Sequence, residues 1–157
     1  MTEPGSTREA RTHIEASPET VYAMVSDLPR MGEWSPENRG GEWLDGATGP
    51  AVGAKFKGHN KRKGGWSTKV TVTAAEPGKE LAFETGKGET RWRYRFEPSG
   101  GGVDVVESFE IVKVPGAIAR SLTKVATGVP WEGREDDMQA GMEETLRRLK
   151  SAAEAGG

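Results

Sequence analysis

Apolar and polar positions change period twice along the chain. Over 9–17, EARTHIEAS, they alternate, with Ala10, Thr12, Ile14 and Ala16 on one face and Arg11, His13 and Glu15 on the other. That is the pattern of a half-buried strand. The period then lengthens. Ser17 is a helix-capping residue, Pro18 suits the first helical position, and Glu19 suits the positive end of the helix dipole; Val21, Met24, Val25 and Leu28 follow at helical spacing. The segment DLPRMGEW predicts a second short helical turn, interrupted at Pro29 and Gly32.

From Glu37 to Lys113 the alternation returns. GEWLDG, GAKFKGHN, WSTKVTVTAAEPG, KELAFETG, ETRWRYRFEPSGG and GVDVVESFEIVKVPG read as strands divided by Gly, Pro and Asn turns, and with the first strand they make seven. Their phase sorts the side chains. Trp66, Thr68, Val70 and Val72 share a face, as do Trp92, Tyr94 and Phe96, and Val103, Val105, Glu107, Phe109 and Ile111. Lys69, Arg91, Arg93 and Arg95 fall on the opposite, solvated face. The end of the chain is helical again. REDDMQAGMEETLRRLKSAAEA has acids early and Arg147, Arg148 and Lys150 late, with an apolar stripe of Met138, Met142, Thr145, Leu146, Leu149 and Ala153. Gly141 breaks the rule inside it, because glycine in a helix interior costs about 1 kcal/mol relative to alanine. A close approach or an open space beneath the helix accounts for it.

Composition narrows the class. The chain has 157 residues, no cysteine and a formal net charge of −2. One domain with a sizeable core fits that length. Residues 8–154 are read as that domain, with flexible ends at 1–7 and 155–157. Disulfides and thiolate metal sites are excluded, and the charge gives no general attraction to nucleic acid or anionic membranes. The first ten residues lack the basic and apolar regions of a signal peptide, and no apolar run reaches the roughly 20 residues of a membrane span. A cytoplasmic protein without stable membrane insertion is expected.

The order of strand, two short helices, six strands and a long helix is that of the helix-grip fold, an α+β architecture. The segments IEASPETVYAMVSDLPRMGEWSPE, GPAVGAKFKGHNKR, WRYRFEP, VVESFEI and GMEETLRRLKSAAE resemble the actinobacterial polyketide cyclase/dehydrase and lipid-transport branch of the START-like superfamily. The resemblance implies a seven-stranded antiparallel sheet curled around the C-terminal helix, with a cavity between them. It implies a place for Trp34 at the cavity rim, facing the segment VPGAIARSLTKVATGVPWEG. That segment reads as a gate, with a short amphipathic helix over 117–125 and a further ring in Trp131.

Candidate ligand-binding residues follow from the inward phases. Trp34, Trp66, Trp92 and Trp131 supply aromatic lining, with Phe56, Phe109, Met138 and Met142 as apolar wall. Asn60, Thr68, Tyr94 and Glu107 are the polar minority, and Glu37 and Arg39 lie at the mouth. Glu107, Tyr94 and Arg39 are the candidates for catalysis. An inward Glu binds a hydroxyl or amine, acts as a base with raised pKa, or pairs with an arginine.

Other signals fail. His13 and His59 both fall on outward faces, so neither a metal site nor a catalytic base is expected, and no cofactor motif is present: HExxH, Walker and GxSxG patterns are missing, and GKGETR lacks the third glycine of a dinucleotide fingerprint. The basic run HNKRKGGW reads as a solvated hairpin tip; no nucleic-acid partner is expected. The expectation is a monomer or weak dimer that carries or sequesters a hydrophobic or amphipathic small molecule, such as a lipid or polyketide. A polyketide cyclase, aromatase or dehydratase is the alternative, and a self-resistance protein of an antibiotic producer is another.

Overall fold

The computed structural model describes residues 4–156. Seven strands form one antiparallel sheet: β1 (Thr7–Ile14), β2 (Asn38–Trp43), β3 (Lys55–Lys61), β4 (Gly65–Glu76), β5 (Glu80–Thr85), β6 (Thr90–Ser99) and β7 (Gly102–Ile111). Three helices accompany them, α1 (Pro18–Ser26), α2 (Ala117–Thr127) and α3 (Trp131–Glu154), with a 3-10 turn over Leu28–Glu33. The sheet order is β1-β7-β6-β5-β4-β3-β2. Strands β2 to β7 therefore form consecutive hairpins, while β1 returns to the far edge beside β7. The chain leaving β1 must cross the concave side to begin β2, and α1 with the 3-10 turn makes that crossing.

Local chemistry sets the element ends. The Ser17 hydroxyl accepts from the Thr20 amide at 3.1 Å and caps α1. Trp34 ends the 3-10 turn, and α3 begins three residues earlier than the charge pattern indicates, at Trp131. The strand expected over 9–17 lies at 7–14. Of the tail expected over 1–7, residues 1–3 lie outside the described residues; the Gly5 amide donates to Ile111 O, Ser6 O accepts from the Ile111 amide, and Thr7 opens β1. At the other end, Ala155 and Gly156 donate to Ser151 and Ala153, and Gly157 is not described.

The concave face carries the core. Ile14, Val21, Leu28, Trp34, Leu81, Val103, Val105 and Leu149 are almost completely buried in one cluster. A smaller one joins Phe109, Ile111 and Met142 with Trp92, Trp131 and Met138. The convex face is laced by ion pairs: Arg91 reaches Glu84 and Glu110, Arg93 reaches Glu80, and Arg95 reaches Glu9. These are exposed and contribute little each.

Helix α3 also protects the open edge of β1. Gln139 Nε2 donates to Glu9 O at 3.1 Å, Lys150 Nζ donates to His13 O at 2.6 Å, and Glu154 accepts from the Glu15 amide at 2.9 Å. Outward edge groups that would otherwise template another strand are thus paired with the chain's own helix. Leu149 is the deepest apolar contact of that helix, at 0% exposure. Truncating Leu149 to alanine is expected to lower unfolding free energy by about 2–5 kcal/mol, read as a drop in urea midpoint at unchanged slope; a loss under about 0.5 kcal/mol would mean that α3 is not packed as described.

Candidate functional site

A pocket of about 670 Å³ lies between the sheet and α3, bounded by both core clusters and partly covered by α2. Its floor follows from strand register. Phe56 pairs with Val70, Gly58 with Thr68 and Asn60 with Trp66 across β3 and β4. Phe83 pairs with Trp92 across β5 and β6, and Tyr94 with Glu107 across β6 and β7. Because partners share a face, the alternation read from sequence delivers these side chains inward together.

Of the candidates, Glu37, Phe56, Asn60, Trp66, Thr68, Trp92, Tyr94, Glu107, Trp131, Met138 and Met142 line the pocket. Three do not. Trp34 is 1% exposed inside the main core, under the Arg30 guanidinium at 5.3 Å, because the 3-10 turn folds it beneath the sheet rather than at the rim. Phe109 packs on Trp92, with ring centroids 5.3 Å apart, and Trp92 takes the pocket-facing place. Arg39 is exposed, donates to the carbonyls of Pro36 and Asn38, and does not line the pocket. A bulge between Asn38 and Gly41 causes this: Gly40 takes φ +93°, its amide donates to Asn38 Oδ1 at 2.7 Å, and Asn38 points inward instead.

The buried chemistry is a carboxyl and a phenol. Tyr94 Oη donates to Glu107 Oε2 at 2.8 Å, and among the described residues Glu107 Oε1 has no hydrogen-bond partner. Glu107 is 3% exposed. Burial pushes its carboxyl up to about 8, against a smaller lowering by the Tyr94 hydrogen bond. Burial and the adjacent carboxylate raise Tyr94 well above its ordinary value. Among the described residues Glu107 makes no ion pair, so near neutral pH the group is mainly a neutral acid. On the opposite wall, Asn60 Nδ2 donates to Thr68 Oγ1 at 3.1 Å.

The mouth holds a charge cluster that sequence periodicity does not reveal. Arg134 donates to Glu37 at 2.7 Å and to Asp137, and Arg62 donates to Asp137 at 2.7 Å and to Glu37 at 3.3 Å. Desolvation of Arg134 is more than offset by its two carboxylates, which keep it protonated. The i,i+3 spacing of Arg134 and Asp137 was the visible signal; their partners in the β3–β4 hairpin and before β2 were not. Gly141 borders the pocket, and a Cβ added there meets nothing within 4 Å. The open space beneath the helix is therefore real. Among the described residues no three His, Asp or Glu side chains converge as a metal ion requires, and no helix is long and apolar enough to cross a membrane.

Sheet, gripped helix and lined pocket define a START-like helix-grip protein. Residues 7–154 match the family described as polyketide cyclase / dehydrase and lipid transport, and the chain belongs to it. No curated protein matches the chain. Among solved structures, the polyketide-cyclase-like protein Cgl2372 from Corynebacterium glutamicum is similar at 29% identity and TM-score 0.60, over 96% of this chain and 94% of that one. TTHA0849 from Thermus thermophilus is similar at 19% identity and TM-score 0.68, over 97% and 100%. DynU16, described as a putative protein in the dynemicin biosynthetic locus, is similar at 17% identity and TM-score 0.65, over 98% of this chain and 49% of that one.

The raised Glu107 has a defined effect on stability. Its ordinary value is 4.5 and its folded value about 8, so between them the folded state holds a proton that the unfolded state has released. Its contribution is most favourable below 4.5 and declines as pH rises, by at most about 1.4 kcal/mol per pH unit. Glu107→Gln removes that slope, so the variant should gain stability over the parent as pH rises toward 8. Urea midpoints across this range test it, and parallel curves for the two proteins would contradict a neutral buried acid.

Proposed function

We propose that the protein binds a hydrophobic or amphipathic small molecule, of lipid or polyketide type, in the pocket between sheet and α3, as a carrier or sequestering protein. The observation that carries this reading is the unpartnered Glu107 Oε1 among Trp66, Trp92, Trp131, Phe56 and Met142. An apolar wall takes the ligand's carbon skeleton, while a neutral carboxyl donates a hydrogen bond to a carbonyl or hydroxyl oxygen. Asn60 and Thr68 supply a second polar contact on the other wall. The volume lies within the roughly 300–1,000 Å³ of small-molecule sites. Sequestration in an antibiotic producer uses the same binding chemistry; the locus named for DynU16 supports asking it of a natural product.

A second reading, cyclisation or dehydration of a poly-β-ketone, is favoured by the same pair. A carboxyl with a pKa of about 8 beside a phenol is poised to give and take a proton near neutrality. Family membership is compatible with both readings. On a polyketide substrate, Glu107→Gln lowers turnover about 100-fold or more if the acid transfers a proton. Affinity shifts by only about 0.5–1.5 kcal/mol if it merely binds.

Gly141 gives the test of the pocket itself. Gly141→Ala should raise stability by about 1 kcal/mol through helix propensity, since its Cβ meets nothing within 4 Å. Gly141→Leu should project into the pocket and weaken a fatty acid or polyketide probe about tenfold or more from a micromolar affinity of about −8 kcal/mol, measured by tryptophan quenching. Saturable binding that is indifferent to Gly141→Leu would place the ligand elsewhere.

A further inference from the structure

Helix α2 presents apolar residues to solvent. Ile118, Leu122 and Val125 are 81%, 63% and 73% exposed. At positions i, i+4 and i+7 they form one stripe along the helix. Thr123, Ala126 and Thr127 form the side turned toward the body of the protein, and Leu122, at the edge of the stripe, also borders the pocket. Arg120 and Lys124 occupy the polar side of the same helix, and from Val112 to Trp131 the chain carries three cations and no acid. Solvent exposure of three aliphatic side chains in a row is unfavourable unless something covers them.

A second basic element meets this helix. The β3–β4 hairpin belongs to the stretch Lys55 to Lys69, which has six cations and no acid in a chain whose net charge is −2. Its tip touches the end of α2: the Gly64 amide donates to Ala126 O at 2.8 Å, and Gly64 leaves room for no Cβ without pressing on Ala126 Cα at 3.3 Å. Lys63 lies against Gly128. Arg62 is engaged with Asp137 and Glu37, whereas among the described residues no ion pair involves Lys61, Lys63, Arg120 or Lys124. An apolar stripe and a rim of unpaired cations therefore occupy one end of the molecule, over the pocket mouth that α2 partly covers.

From this juxtaposition we infer that α2 and the β3–β4 hairpin form a surface for peripheral docking on an anionic lipid bilayer. Acyl chains cover Ile118, Leu122 and Val125, and anionic headgroups receive Lys61, Lys63, Arg120 and Lys124, whose long stems let the ammonium and guanidinium groups reach the interface. The two features fit a bilayer together, because it offers apolar depth and anionic charge in one plane and demands no matching shape. Docking does not require the pocket to be filled, so it stands or falls separately from ligand binding.

The experiment is flotation of the whole protein with phosphatidylcholine vesicles, with and without phosphatidylglycerol. The parent should float with the anionic vesicles at low salt and release as salt rises. The double variant Ile118→Asp/Val125→Asp, altered at exposed positions that do not line the pocket, should partition about tenfold less or weaker still, with its circular dichroism and fatty-acid titration unchanged. Arg120→Glu/Lys124→Glu should lower partition as well, giving an independent reading if the aspartates disturb the helix. Absence of flotation with anionic vesicles overturns the inference and leaves the face to a protein partner. Flotation unaffected by either variant overturns it too. So does sedimentation showing a dimer of the parent that the aspartate pair dissolves, since the face then belongs to a second copy.

Discussion

The separation between α3 and the sheet governs the rest of the molecule. A single helix cannot reach every strand of a curved seven-stranded sheet, so its side chains determine where the interior closes. Thr145, Leu146, Leu149 and Ala153 close it toward the C-terminal end, against β1 and the core around Val103 and Val105. Earlier on the helix, Ala140 and Gly141 present almost nothing to the interior, and there the pocket opens. The Thr145 hydroxyl, which also borders the pocket, is used within the helix on Gly141 O at 2.8 Å. Close packing and open space thus occupy successive turns of one element, and the helix gives up propensity at Gly141 where the pocket opens.

Glu107 is the polar counterpart of that arrangement. An ionised carboxylate in this surrounding would carry a large desolvation penalty, and Tyr94 alone answers one of its two oxygens. Neutralisation removes most of the penalty and adds an O–H donor, while Oε2 goes on accepting from Tyr94. Apolar residues of similar volume would pack there at lower cost. The described ion pairs lie elsewhere: Arg8 with Glu135 and Asp136, the exposed convex ladder, and the mouth cluster.

The alternation of β4, β6 and β7 made the floor of the pocket legible, because a period of two leaves only two faces and the apolar set selects one of them. Ser17, Pro18 and the Gly-rich turns marked their boundaries for equally local reasons. Trp34, Phe109 and Arg39 were misplaced where local pattern gives way to tertiary geometry. Phase puts Phe109 on the inward face but not in front of its cross-strand neighbour Trp92, and a bulge at Gly40 reverses the facing of the residues around it. For Trp34 the surrounding turn was legible, but its burial depends on how the crossing from β1 to β2 packs under the sheet. The cluster of Glu37, Arg62, Arg134 and Asp137 joins segments up to 97 positions apart, and no periodicity carries such a pairing.

That cluster also decides which part of the mouth can yield. Arg134 and Asp137 belong to the first turns of α3, Arg62 to the β3–β4 hairpin, and Glu37 to the approach to β2, so four charges tie the helix start to the far edge of the sheet. Arg134 is 13% exposed at its side chain, and separating it from its partners would strand charge in a poorly hydrated place. By contrast, α2 is joined to the hairpin through the Gly64 amide and is otherwise largely solvent-exposed. Opening at α2 costs about one hydrogen bond and limited apolar contact, whereas opening at the charge cluster costs several charge-assisted bonds at once. Opening is therefore easier past α2, and the rigid half of the mouth holds the sheet and α3 at their spacing.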